Sequence, residues 1–282
     1  MRELALAALL LAAPGSRLPD PGQLALPARP DAQGLLRVDP VYFRMASETG
    51  GDFYFWDPGE FSGAGLHLPL PGETVALAYG TFQGQALHIA IPVESGVTRL
   101  SVFAGAQRKD QAVLRRPDGR AVSGAAAGEA LQVYSHMAIA TVEQPDPGVW
   151  LLELRGVGLY SVSAQLSPAR DEAAPSFDRL EFVEMGGRLG HQGWFPIQRE
   201  PRKGETLQCS VELGGTISAP AFRFVAGDGT VVGHAELRRE EEGGAYYGRC
   251  VVPSTPFRVL VTGLDSQGRR FQRIESGLRT PR

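Results

Sequence analysis

Five histidines, His67, His88, His136, His191 and His234, are the residues best suited to proton transfer or metal binding, because an imidazole titrates near neutral pH and ligates metals. All five stand singly. There is no H-E-x-x-H pair to place two imidazoles on one helix face, and no cysteine close enough to supply a second ligand on the same element, so no zinc set is expected. His88 lies in an alternating stretch and reads as a half-buried structural histidine. A G-x-S-x-G elbow, a G-x-G-x-x-G loop and a G-x-x-x-x-G-K-[ST] loop are all missing, although the chain holds 35 glycines. The nearest partial match, Gly156-Val157-Gly158, reads as a hairpin turn between strands rather than a phosphate cradle.

Two acidic groups carry the carboxylates that calcium needs. One is Glu240-Glu241-Glu242 after Arg238-Arg239, and the other is Asp52, Asp57 and Glu60 beside aromatic residues. Charge runs of this kind more often form solvated loops. No catalytic, cofactor-binding or metal-binding residue is therefore nominated. Cys209 and Cys250 both sit in strand-like patterns, Leu207-Gln208-Cys209-Ser210-Val211 and Arg249-Cys250-Val251, which suits a disulfide across a sandwich. Two buried thiols are the alternative. Trp150 in Val149-Trp150-Leu151-Leu152 reads as core. Trp194 and Phe195 fall in a Gly- and Pro-bounded loop, His191-Gln192-Gly193 before Pro196, and are the candidate interaction surface, with burial at a domain junction as the competing reading.

The elements that position these residues follow from composition and rhythm. The chain has 282 residues, 43% of them hydrophobic, enough for two domains with real cores. With 28 Lys plus Arg against 31 Asp plus Glu, the net charge of -3 gives no field to gather nucleic acid. High Gly and Pro content punctuating Val-, Leu-, Phe- and Tyr-rich runs reads as all-β.

Met1-Arg2-Glu3 ahead of Leu4 to Ala13, then Ala13-Pro14-Gly15, reads as a signal peptide over 1–15, with a buried helix as the alternative. The run is too short to cross a bilayer as a helix, so no transmembrane segment is expected. Residues 16–40, with Pro19, Pro21, Pro27, Pro30 and Pro40, read as a linker of low order. In 41–60, Val41 to Ser47 is helix-like and Asp52-Phe53-Tyr54-Phe55-Trp56 strand-like. Whether this segment adds an edge strand to the unit that follows is left open.

From 61 to 168, strands are expected at Val75–Gly80, Ala86–Val93, Arg99–Ala104, Ala112–Arg116, Met137–Val142, Trp150–Arg155 and Tyr160–Gln165. Pro168 to Pro175 is a connector. From 176 to 282 the rhythm restarts, with strands at Phe177–Val183, Thr206–Leu213, Ala221–Val225, Thr230–Leu237, Tyr246–Val251, Phe257–Thr262 and Arg270–Ile274. The fold class expected is two consecutive β-sandwiches, immunoglobulin-like or jelly-roll-like, behind a short helix-strand segment.

Specific stretches also carry a resemblance. Pro147-Gly148-Val149-Trp150-Leu151-Leu152-Glu153-Leu154 followed by Gly158-Leu159-Tyr160-Ser161-Val162 resembles the sandwich that follows the von Willebrand factor A domain in hemicentins and related extracellular proteins. Pro220-Ala221-Phe222-Arg223-Phe224-Val225, Tyr247-Gly248, Val252-Pro253 and Pro256-Phe257-Arg258-Val259, continuing through Val261-Thr262-Gly263-Leu264-Asp265 to Phe271-Gln272-Arg273, are similar to the second module of that region. Tyr42 with Met45-Ala46-Ser47-Glu48-Thr49-Gly50-Gly51 looks like the end of the A domain itself. The A domain's metal-dependent adhesion motif, D-x-S-x-S, is absent, so metal-dependent capture is carried over to no residue.

Together these readings lead to a secreted, non-enzymatic protein of two β-sandwiches that engages an extracellular or cell-surface protein, without cofactor. A secreted hydrolase or its accessory domain is the first alternative. A truncated product of a longer A-domain-containing matrix protein is the second.

Overall fold

The computed structural model describes residues 6–7, 25–26, 31–33, 35–36, 38–49, 53–55, 73–168, 174–188, 192–240, 244–275 and 277–282. Two short strands, β1 (Leu6–Ala7) and β2 (Ala25–Leu26), pair antiparallel within the stretches read as leader and linker. Helix α1 (Pro40–Thr49) starts where local chemistry dictates. Asp39 Oδ1 accepts the Val41 N–H at 2.9 Å, capping the free end, and Pro40 occupies the first helical position, where its missing N–H costs nothing.

The first sheet holds β3 (Glu73–Thr81), β4 (Leu87–Val93), β5 (Val97–Arg115), β6 (Glu129–Val133), β7 (Met137–Glu143) and β8 (Gly148–Pro168). Its order is β3-β8-β5-β7-β6, and β4 adds to β8. Four of the expected strands are really two. Arg99–Ala104 and Ala112–Arg116 belong to β5, and Trp150–Arg155 and Tyr160–Gln165 belong to β8. Gly156-Val157-Gly158 is thus no hairpin turn but the middle of β8, where the pair bends. Register shifts fall at Ala106/Arg108 and Lys109/Gln111 of β5, and each extra residue sharpens the local twist.

Glycine is required at the bend. A Cβ on Gly156 would collide with the Arg108 carbonyl oxygen, and Gly158 takes φ +81. Folded there, the leading half of β8 and the trailing half of β5 form a second layer with β4. That layer faces β3, β7 and the remaining halves of β5 and β8. Ile91, Trp150 and Leu152 from one layer meet Leu100, Val162 and Leu166 from the other in a single buried core. The short strand β6 was not anticipated in the sequence.

The second sheet runs β10-β9-β11-β14-β13-β12-β15-β16, from β9 (Ser176–Gly186), β10 (Gly193–Pro196), β11 (Thr206–Gly214), β12 (Ser218–Val225), β13 (Val231–Arg239), β14 (Tyr246–Val251), β15 (Arg258–Leu264) and β16 (Arg270–Ile274). It coils so that Leu180, Phe182, Val211, Phe222, Phe224, Val259, Val261 and Phe271 share one interior. The architecture is all-β, with two antiparallel sheets forming sandwich cores and, among the described residues, one short helix.

Between the sheets lies a third apolar cluster. Leu77, Tyr79, Phe103, Met137 and Ile139 of the first sheet meet Val225 and Ile274 of the second, and Leu36, Ala46, Phe53, Tyr54 and Phe55 fill the space between them. Two sequence expectations change here. The stretch read as a linker of low order contributes the buried Leu36, whose N–H bonds the Gln107 carbonyl at 3.3 Å and whose carbonyl accepts Gln107 Nε2 at 2.6 Å. Residues 53–55 join no ladder and add no edge strand. They are buried because three consecutive aromatic residues supply apolar surface that both sheets cover.

Candidate interaction surface

Trp194 and Phe195 lie in a strand, not a loop, and on an edge, not at the domain junction. Strand β10 pairs only with β9, with Trp194 opposite Met185, Phe195 opposite Glu184 and Pro196 opposite Val183. Trp194 is 40% exposed, Phe195 48% and Met185 59%. Successive side chains of a strand point to opposite faces, so the two aromatic residues do not form one patch. Trp194 shares the outer face with Met185. Phe195 points the other way, and its ring lies over Gly186, 3.2 Å from where a Cβ would stand.

Register extends the outer face. Gln208 pairs with Val183, which brings Thr206 abreast of Met185, and Thr206 pairs with Val251, itself 56% exposed. Trp194, Met185, Thr206 and Val251 therefore form a row across four strands, roughly 14 Å at the usual strand spacing. Sequence reading found Trp194 and missed Met185 and Val251. Each lies at or next to the end of its strand at an outward step, a signal that appears only once register is known.

The free edge of β10 is blunted. The Ile197 N–H bonds the Phe182 carbonyl at 3.0 Å, so in strict alternation Gly193 and Phe195 also turn their backbone groups toward β9. Trp194 and Pro196 then face outward, and proline has no N–H to offer another strand. Beside the row, Arg199 Nη1 donates to Glu205 Oε2 at 2.8 Å and the Arg202 N–H to the same oxygen at 3.0 Å. The Arg199 guanidinium, followed by the Arg202 backbone donor, holds the Glu205 carboxyl down to about 2.

Cys209 and Cys250 form a disulfide. It does not cross a sandwich. The cysteines stand on adjacent strands of one sheet, Cys209 opposite Gly248 and Cys250 opposite Leu207, with Cα atoms 6.7 Å apart. Trp150 is fully buried, its Nε1 donating to the Asp146 carbonyl at 2.9 Å and the Arg116 guanidinium 5.5 Å from its ring centre.

The histidines do not converge. His88 is exposed on the outer face of β4, not half-buried, because its neighbours Leu87 and Ile89 take the inward positions. His136 is buried, and His234 lies exposed on β13, 3.8 Å from Glu236. His67 and His191 lie outside the described residues, as do Asp52, Asp57, Glu60, Glu241 and Glu242. Arg238 and Arg239, which lead into the acidic run read as a solvated loop, belong to β13. Among the described residues, no three His, Cys, Asp or Glu side chains are grouped to hold a metal ion. Nor is any described helix long and apolar enough to cross a membrane.

No protein-family model and no curated protein sequence matches the chain. Among solved structures, it is similar to a Bacillus licheniformis lipase in propeptide form, at 10% identity and a TM-score of 0.28, over 76% of this chain and 46% of the lipase. It thus spans about half the length of that protein. It is also similar to the N-terminal Ig1-2 module of the Drosophila receptor protein tyrosine phosphatase DLAR, at 15% identity and a TM-score of 0.25, over 67% of this chain and 94% of the module. The titin domains Z1Z2 in complex with telethonin give 15% identity and a TM-score of 0.21, over 76% of this chain and all 100% of theirs. At such scores none of these likenesses bears on activity, and the all-β architecture rests on the ladders described above.

Proposed function

We propose that the protein is a secreted, non-enzymatic interaction module of two β-sandwiches that holds an extracellular or cell-surface protein partner on the outer face of its second sheet. The observation that carries this reading is the row Trp194, Met185, Thr206 and Val251, apolar apart from one threonine and set on paired strands. A rigid ladder presents such groups at little ordering cost, and buried Trp is among the strongest contributors to protein interfaces. The adjacent Pro196 favours contact through side chains over strand addition. Export is supported by the Cys209–Cys250 disulfide, since such bonds persist in oxidising compartments.

The kinship with the modules that follow the A domain in hemicentins belongs to the same proposal. It rests on the motifs quoted above, and a genomic reading frame encoding D-x-S-x-S upstream would test it. The surface itself is tested with Trp194→Ala and Phe195→Ala on the exported protein. Trp194→Ala is expected to weaken attachment to matrix or cell surfaces at least about tenfold with the melting temperature nearly unchanged, and Phe195→Ala, on the other face, to weaken it less. Unaltered attachment by both variants would rule this surface out.

A further inference from the structure

The two sheets meet directly through a set of polar contacts as well as through the apolar cluster that holds Tyr79, Val225 and Ile274. Arg273 of β16 meets Glu94 and, at 3.5 Å, Glu73. Gln272 Nε2 donates to the Val75 carbonyl, the Ser95 N–H to Asp265 Oδ2 at 3.2 Å, and the Tyr79 N–H to the Gly227 carbonyl at 2.8 Å. The apolar part of the junction is filled out by a segment outside both sheets.

Phe53, Tyr54 and Phe55 are each 0–1% exposed. Tyr54 stacks edge-on against Phe103 at 4.5 Å, and Phe43 of α1 against both Phe53 at 5.4 Å and Tyr79 at 5.9 Å. The same segment is fastened at both ends. Leu36 exchanges bonds with Gln107 of the first sheet. At the end of α1, the Ser47 carbonyl accepts from Arg258 of the second sheet and the Glu48 carbonyl accepts the Leu278 N–H at 2.8 Å.

From this arrangement we propose that Leu36, helix α1 and Phe53-Tyr54-Phe55 form a separable wedge that binds both sandwiches at once and fixes the angle between them. Two domains of one chain move relative to one another by default unless the interface between them is large and apolar. An apolar body bonded to both removes that freedom, much as a doorstop holds a hinge. The ladders of both sheets are complete without the wedge, which lends them no strand, so its departure leaves each sheet paired.

The test uses the full chain with a protease recognition sequence inserted between Trp56 and Gly72. After cleavage under native conditions, the amino-terminal fragment is expected to co-elute with the remainder on size exclusion at micromolar concentration. Phe53→Ser with Phe55→Ser in the same background should weaken retention at least about 100-fold. Loss of the fragment should raise the radius of gyration in X-ray scattering while the strand signal in circular dichroism persists. Arg258→Met, which removes the bond to Ser47 together with the guanidinium's contact over the Tyr79 ring of the first sheet, should weaken retention about tenfold and serves if the double variant does not fold. Retention unaffected by both sets of substitutions, release without change in scattering, or release accompanied by loss of the strand signal would each overturn the proposal.

Discussion

Arg273 of β16 donates to Glu94 at the end of β4, joining the two sheets through an ion pair in which each side chain is only 1% exposed. The guanidinium also donates to the Pro175 carbonyl at 2.8 Å, so the pair ties together β16, the segment entering β9 and the first sheet.

This geometry predicts an asymmetry between single and double substitutions. Glu94→Leu leaves a buried guanidinium without its nearest carboxylate and should destabilise by about 3–5 kcal/mol, because an unpaired charge keeps its desolvation cost. Replacing both partners, with Glu94→Leu and Arg273→Met, should cost less than the sum of the single changes. Urea unfolding of the four proteins completes the cycle.

Asp265 supplies the pH dependence of the same junction. Burial pushes its carboxyl up, but the backbone N–H groups of Arg269, Ser95 and Gln267 outweigh that, and the net displacement is below the ordinary 3.8. A carboxyl lowered in the folded state contributes stability that is fully present above its ordinary value and lost as pH falls through the lowered one. The wild type should therefore lose stability below about pH 4. Asp265→Asn should show a flatter acid limb in thermal melts from pH 6 to 2.

Pro196 predicts association behaviour. Substituting Pro196→Thr restores an outward N–H to an edge strand next to exposed Trp194, opening the strand to edge-to-edge pairing. Concentration-dependent self-association should appear in sedimentation velocity, while the wild type keeps its own state over the same range.

The disulfide closes a loop of 41 residues, which on the chain-entropy model stabilises by about 4 kcal/mol. Cys209→Ala with Cys250→Ala should lower the melting temperature of the second sheet and leave the first little changed. Two transitions in calorimetry, only one of them moved, are the expected result.

Strand positions were legible in the sequence wherever alternation was strong. The seven strands read after Pro175 all exist within a few residues, but the alternation of Leu100, Val102 and Ala104 with Ser101 and Phe103 marked a strand without marking one buried face, since Ser101 and Phe103 are buried too, Phe103 against the aromatic run between the sheets. The lengths of β5 and β8 were not legible. A bulge and a mid-strand glycine look like a turn in sequence, and only pairing with a partner reveals that the ladder continues through the bend. The interaction surface was half legible. Trp194 stands out by type, but Met185 and Val251 join it through register, which links residues far apart in the chain. The fate of Phe53-Tyr54-Phe55 was open for a related reason, since an aromatic run specifies burial without saying against what.

Local patterning alone determined that this chain makes two sheets with a helix ahead of them, because propensity, turn chemistry and the period of apolar residues act over a few neighbouring positions. The tertiary structure decided that the cysteines bridge adjacent strands, that Trp194 is displayed on an edge, and that Leu36 and the aromatic run fill the space between the sandwiches. Each of those outcomes depends on which distant backbone lies alongside, a quantity set by loop closure and by competition among cores rather than by any residue's neighbours in sequence.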